Sequence, residues 1–455
     1  MKISKFVKVY NLGDMYAYYH SLKMIPVYVT KNEHDVIRNG DVTGKIDERT
    51  VESLVDNMIL VKDDNIGLDV VRRNIPAPYI SLAYFILTEQ CNLACKYCFL
   101  GNYKNIYSKK KNTIKMNLET ADAALKYFAY QTQKDIVQFS DDKEIIFYGG
   151  EPLINFKTLQ YVIERSRYYI DQAVLSPRLK FSVVTNGLLL DEEKIEFLKK
   201  HDVNVSVSID GATRSDNAAR IDRSGNEVFD RLIKKIELID KMQWNIGLSI
   251  TLTPSLMKHM NTLTDFLQRF NIRSVCFNML HETPGYNISE EYYYQATDFI
   301  IKFYEKTKDI PIYEERFFRK LNTFINGGIY YSDCAATEGS QIVVLPSGDV
   351  GICHGCIEKR EYFISNVHET EDLRKNEVLL EWSRLTPVLN DECISCEALG
   401  MCGGGCPINA RNTSKSKDIH STDRAFCIHS KMILEYLIRK LYNVMKRNHT
   451  NHEEL

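Results

Sequence analysis

Charge in excess of either sign is missing from this chain. Its 58 Lys and Arg stand against 60 Asp and Glu, a formal charge of -2, which gives no reason to expect nucleic acid or a membrane surface as a partner. Long apolar runs are missing too: none approaches the roughly 18 residues of a membrane span. The N-terminal stretch alternates Lys, Asp, Tyr and short apolar runs, with neither an apolar core nor a small-residue cleavage site, so no signal peptide is expected. A cytoplasmic chain follows as the expectation, and the N-x-[ST] matches at Asn287, Asn412 and Asn448 are read as chance. No G-x-G-x-x-G follows the first barrel strand and no G-x-x-x-x-G-K-[ST] occurs, so dinucleotide and nucleoside-triphosphate binding lack motif support. Proline is scarce, 11 in 455 residues, while Lys, Asn, Ile and Tyr abound. That balance reflects genome base composition more than function.

Cysteine is what the chain does have, 12 in all. In a reducing compartment so many thiols are more often ligands than disulfides. Cys91, Cys95 and Cys98 form one group, Cys276 stands alone, and eight more lie toward the C-terminus. A length of 455 residues exceeds one ordinary core, so two or three domains are expected.

Residues 1–76 read as a small α+β unit, with strand composition in FVKVYNL, YAYYHSL and IPVYVT and helix spacing in NEHDVIRNG and ERTVESLVDNMIL. It is either a structural cap or a peptide-recognition domain. Residues 77–310 repeat a strand-then-helix unit six times, which predicts a parallel sheet covered by helices. CNLAC, YGGEP, TNG, SIDG and the stretch around HET all fall just past strand ends. Loaded ends on many strands favour a partial (β/α)6 TIM-like barrel over a doubly wound sheet with one switch point. Residues 311–440 lose the rhythm: a Cys- and Gly-rich stretch with little apolar periodicity, expected to need metal, precedes a closing helix.

Cys91, Cys95 and Cys98 offer three soft ligands with no fourth Cys or His nearby. Structural zinc takes four, whereas a [4Fe–4S] cube held by three thiolates leaves one iron free for a small molecule. Tyr97 and Phe99 flank the last cysteine and would shield such a cube. C-x-x-x-C-x-x-C with an aromatic before its last Cys, followed by YGGEP at 148–152, resembles the radical S-adenosylmethionine (radical SAM) superfamily over about residues 80–310. The resemblance implies a cluster whose open iron chelates S-adenosylmethionine, which is cleaved to a 5'-deoxyadenosyl radical that takes a substrate hydrogen. It places Gly149, Gly150 and Glu151 near the methionine amino group. Thr185, Asn186, Ser208 and Asp210 are placed at ribose hydroxyls or the carboxylate, and Arg220 facing the methionine carboxylate.

The spacing C-x2-C-x5-C-x3-C from Cys393 through Cys396 and Cys402 to Cys406, with Cys427 beyond and Cys334 and Cys353 upstream, resembles the SPASM module of peptide-modifying radical enzymes. That implies two auxiliary [4Fe–4S] clusters, three in all. Cys393, Cys396, Cys402 and Cys427 would hold the outer one, and Cys334, Cys353 and Cys406 the inner. Cys356 either completes the inner set or leaves it an open iron suited to a substrate thiolate.

The family's reactions lead to an expectation of a peptide maturase. It would abstract a hydrogen from a ribosomally made, Cys-containing precursor peptide and close a thioether crosslink. The alternatives are an anaerobic sulfatase-maturating enzyme forming formylglycine, another peptide-modifying radical enzyme or, more remotely, a non-catalytic iron–sulfur scaffold. His354 stands where sulfatase maturases carry an Asp as presumed base and is the sole catalytic candidate. The implied partners are the peptide and a one-electron donor such as flavodoxin or ferredoxin.

Overall fold

The computed structural model describes residues 1–40, 42, 44–100, 115–133, 141–282 and 288–453, with the side chains of 65–66 and 448–453 left out. Thr283 of the HET stretch and Asn287 lie outside the described residues. Short strands β1 (Lys2–Ile3) and β5 (Leu60–Val61) pair antiparallel. Between them, β2 (Val7–Asn11), β3 (Met15–His20) and β4 (Pro26–Thr30) form an antiparallel sheet with β3 central. Successive strand residues point to opposite faces, and β3 uses both. Tyr18 packs with Val27, Val29, Ile37 and Leu54 in a small core of its own, while Ala17 and Tyr19 join the main core.

The main sheet begins with six parallel strands: β6 (Leu82–Thr88), β7 (Lys143–Gly149), β8 (Leu179–Thr185), β9 (Asn204–Ile209), β10 (Gly247–Thr251) and β11 (Ser274–Asn278). Helices return the chain between neighbours, the right-handed habit of parallel strands. Ala121, Ala124, Leu125 and Phe128 recur at helical spacing and are buried on the helix Leu118–Thr132. Leu232, Ile236 and Ile239 do the same on Phe229–Lys241.

The strands alternate more than uniformly buried strands would. Val183, Val205, Val207, Leu248, Ile250, Val275 and Phe277 are buried in the core, whereas Ser182, Ser206, Ser208, Ser249, Cys276 and Asn278 remain part-exposed. A sheet covered by helices on one side and open on its concave side has this pattern. It leaves a polar face running across the strands.

The sheet does not stop at residue 310. A short β12 (Tyr313–Glu314) pairs parallel to β11, and β13 (Gln341–Val344) pairs parallel to β6 at the other edge. The antiparallel β14 (Asp349–Gly351) and β15 (Phe363–Asn366) extend it to ten strands in the order β12-β11-β10-β9-β8-β7-β6-β13-β14-β15. The cysteine-rich region is thus continuous with the barrel sheet. It also buries Leu379, Trp382 and Met401 in the common core, so apolar packing contributes where little periodicity is visible. The helix Arg424–Glu453 closes the chain. Among the described residues no helix is long and apolar enough to cross a membrane.

Candidate active site

The loop carrying Cys91, Cys95 and Cys98 leaves the end of β6 and is clamped from two sides. On one side Gly150 N donates to Thr88 O at 2.9 Å and Glu151 N to Gln90 O at 2.8 Å. A Cβ at Gly150 would lie 2.2 Å from Gln90 O, and one at Gly149, whose φ is +141°, 2.2 Å from Thr88 O. The two glycines therefore let the end of β7 approach the backbone leading into the cysteine loop, the close approach only glycine permits. On the other side Ala94 N donates to Ile221 O at 2.8 Å and Lys96 N to Ala219 O at 3.0 Å, in the segment after β9.

Side chains at the strand ends form two buried polar groups around this loop. Glu151, 1 % exposed, accepts from Thr185 Oγ1 at 2.7 Å, Asn186 N at 2.8 Å and Leu153 N at 3.1 Å. Burial pushes its pKa up, against the pull of these hydrogen bonds. Asn186 Nδ2 donates to Asn92 Oδ1 at 2.8 Å beside Cys91. In the second group Tyr97 donates to Asp210, and Arg220 Nη1 reaches Tyr97 Oη at 2.7 Å and Asp210 Oδ1 at 3.2 Å. Arg220 Nε is buried without a partner. Thr185 and Asp210 thus already hold Glu151 and Arg220, while Ser208 keeps to the part-exposed face of β9. Tyr97, read from sequence as a shield, also orients the Asp210–Arg220 pair. The aromatic before the third cysteine was the signal for it.

The thiols fall into three mutually interacting groups. Burial raises Cys91 to about 12 and Cys95 to about 11, with neighbouring thiols adding smaller upward contributions and Arg220 pulling Cys95 back. Burial likewise takes Cys334 to about 12, with Cys353 adding to the rise, and raises Cys406, which also feels Cys353 and Cys334. The hydrogen bond between the Cys353 and Cys356 side chains is the largest influence raising Cys353, so Cys356 sits inside this group. Cys393 and Cys427 rise to about 12 through burial, with Cys402 and Cys396 near both. Cys276 stands apart, its thiol facing Asn278 and Glu315. Among the described residues no three His, Cys, Asp or Glu close around a single metal ion. A cube takes one thiolate per iron and needs no such closure. Soft donors, part-buried or buried, in groups of three and four fit iron–sulfur clusters, and the unpartnered Arg220 Nε fits the carboxylate of an amino-acid-like cofactor.

Two features lay beyond the sequence patterns. His354 lies in an aromatic nest, its ring centroid 4.6 Å from Tyr84, 5.3 Å from Tyr148 and 5.6 Å from Phe99. Its Nδ1 has no partner, and burial lowers its pKa to about 4, so the imidazole is neutral at pH 7. Lys320, 1 % exposed, donates to Asp333 Oδ1 at 2.8 Å and to Cys402 O at 2.6 Å. It ties the segment before Cys334 to the Cys402 turn.

With this geometry in place, the chain can be set beside known proteins. Residues 85–267 match the Radical SAM superfamily, a stretch that contains the strand-end cysteine loop and the Glu151 and Arg220 groups. The chain is 27 % identical over 383 residues to the radical SAM cyclopropyl synthase TigE of Paramaledivibacter caminithermalis, covering 81 % of this chain and 76 % of that protein. It is 23 % identical over 380 residues to a cysteine-type anaerobic sulfatase-maturating enzyme of Clostridium perfringens, covering 81 % and 98 %. The fold is shared with native anSMEcpe with bound AdoMet (TM-score 0.67, 21 % identity, 80 % and 99 % covered). It is also shared with Streptococcus suis SuiB bound to precursor peptide SuiA (TM-score 0.54, 15 % identity, 94 % and 99 % covered).

Proposed function

We propose that this chain oxidises a residue within a peptide or protein substrate by two electrons, using three [4Fe–4S] clusters and S-adenosylmethionine. The observation that carries the reading is the strand-end assembly of Cys91, Cys95, Cys98, Glu151 and Arg220 at the mouth of a polar concave face. Relatives named for sulfatase maturation and for peptide binding support the substrate class. When bound, the cluster and S-adenosylmethionine supply one-electron cleavage of the cofactor to a carbon radical that takes a substrate hydrogen.

The chain's own residues do the rest. Glu151 would hold the cofactor's ammonium and Arg220, through its unpartnered Nε, its carboxylate. Phe99, Tyr84 and Tyr148 pack around the His354 ring and fix its position. After a hydrogen atom leaves the substrate, one more electron and one proton must go. His354, neutral and unpartnered at Nδ1, is the candidate proton acceptor, and clusters held by the two C-terminal thiol groups would carry the electron. The outer strands β2 and β4 of the N-terminal sheet each have one side without a strand partner among the described residues. An extended peptide can add there, which supports peptide recognition by residues 1–76.

The thioether reading drew its rank from an open iron left by Cys334, Cys353 and Cys406. The contact between Cys356 and Cys353 supports four protein thiolates instead. Oxidation of a side chain to an aldehyde, or bond formation between carbons, therefore stands ahead of thioether closure. The test is anaerobic reconstitution with dithionite, S-adenosylmethionine and a peptide encoded beside this chain. Formation of 5'-deoxyadenosine is expected, with loss of two hydrogens for a crosslink or replacement of a thiol by an aldehyde oxygen. Absence of 5'-deoxyadenosine rejects the enzyme reading, and a product carbon–sulfur bond restores thioether formation.

A further inference from the structure

A groove of about 710 Å³ lies far in sequence from the barrel loops, between the helix Asn65–Arg73, the Ile75–Pro78 linker and residues 380–389. Its wall is apolar, with Ile75, Pro76, Pro78, Leu380 and Leu389, and its charged groups are Arg72, Arg73, Arg384 and a single acid, Asp69. Arg72 Nε donates to Val388 O at 2.9 Å and Arg73 Nε to Asp69 O at 3.3 Å. Among the described residues none of the three arginines has a carboxylate partner, unlike Arg178, Arg214, Arg424 and Lys446 elsewhere on the surface. Three unneutralised guanidiniums beside apolar area suit an acidic protein surface.

What lies behind the wall decides which kind. Ile75 and Leu389 belong to the same apolar cluster as Cys393 and Ile394, so the groove backs onto the outer thiol group. We propose that this groove docks an acidic one-electron carrier protein, which takes up the surplus electron through the Cys393, Cys396, Cys402 and Cys427 group. The proposal rests on the reading of those thiols as a cluster site. In the exchange the reduced outer cluster loses one electron and the oxidised carrier gains it, with no atom or proton transferred. Redox encounters of this kind use small interfaces steered by charge, and the groove has that character.

The test uses full-length holoenzyme and an acidic flavodoxin as probe. Binding of wild type is expected to weaken as salt rises, because exposed charges are screened. R73E/R384E is expected to weaken binding by at least about tenfold and to remove most of the salt dependence. A milder R73Q/R384Q should fall between, and K234E/K241E, a charge-matched change on a barrel helix, should bind as wild type does. Arg72 is left alone because it braces Val388. With dithionite as reductant, 5'-deoxyadenosine formation by R73E/R384E should match wild type, which shows that the fold and clusters survive. Unchanged flavodoxin affinity in R73E/R384E overturns the proposal. So does unchanged flavodoxin affinity accompanied by weakened peptide binding, which reassigns the groove to substrate. Loss of cofactor cleavage by wild type itself with dithionite rejects the cluster reading instead, a result the binding data do not depend on.

Discussion

Single atoms decide much of the site. Gly150 has no room for a methyl group, since a Cβ there would meet Gln90 O at 2.2 Å and Glu89 O at 2.8 Å. Gly150→Ala should therefore push the cysteine loop away from β7 while leaving the C-terminal thiols untouched. Iron per chain is expected to fall by about four atoms, the content of one cube, in an otherwise folded protein. Full iron retention would show that the loop tolerates the displacement. The motif around Gly150 was legible in the sequence, but its physical reason was not. The resemblance places the glycines beside the cofactor's amino group, and in the fold they are first room for the backbone of β6's own loop. Thr185 and Asp210 show the same limit: their place at strand ends follows from spacing, their partners Glu151 and Arg220 only from convergence in space.

At the scale of elements, the N-terminal sheet contains an acid-sensitive joint. His20 at the end of β3 is fully buried, accepting from Leu22 N and Lys23 N at Nδ1, both at 3.3 Å, with Ser4 Oγ 3.3 Å from Nε2. Burial, with help from Lys23, lowers its pKa from 6.5 to about 4. Above pH 6.5 the ring is neutral in both folded and unfolded chains, and its contribution is intact. As pH falls toward 4, the unfolded chain binds a proton that the folded one refuses. Stability is then lost by up to roughly 3 kcal/mol. Urea unfolding followed by N-terminal tyrosine fluorescence should show the midpoint falling between pH 7 and 4.5, and His20→Gln should flatten that dependence. An equally steep dependence in His20→Gln would place the effect on other buried histidines.

For the whole molecule, the N-terminal unit is not a detachable cap. Tyr10, Ala17, Tyr19 and Met24 lie in the main core, and Phe6, Leu22 and Leu68 pack with Val388 and Leu399. Tyr28 Oη also donates to Ile438 O at 2.9 Å. Removing residues 1–76 should uncover this apolar surface, at a cost on the order of 25 cal/mol per Å². Lower melting temperature and self-association in size-exclusion chromatography are expected. A truncated chain that stays monodisperse and melts like the full one would show that the interface contributes little. Peptide recognition is therefore better tested by charge substitutions along β2 or β4 than by deletion.

The sequence by itself determined the six strand–helix units, the loaded strand ends and the grouping of cysteines, because each is carried by local spacing: a period of two, a period near 3.6, and ligands a few residues apart. Tertiary structure alone decided three matters. β13 joins β6 across more than 250 residues and makes barrel and cysteine-rich region one sheet. His354 is brought among Tyr84, Tyr148 and Phe99. Cys393 comes to lie behind an arginine-rimmed groove built partly from the N-terminal helix Asn65–Arg73. Each depends on contacts between segments far apart in the chain, and such contacts leave no period in the sequence because either partner alone satisfies only its own local geometry.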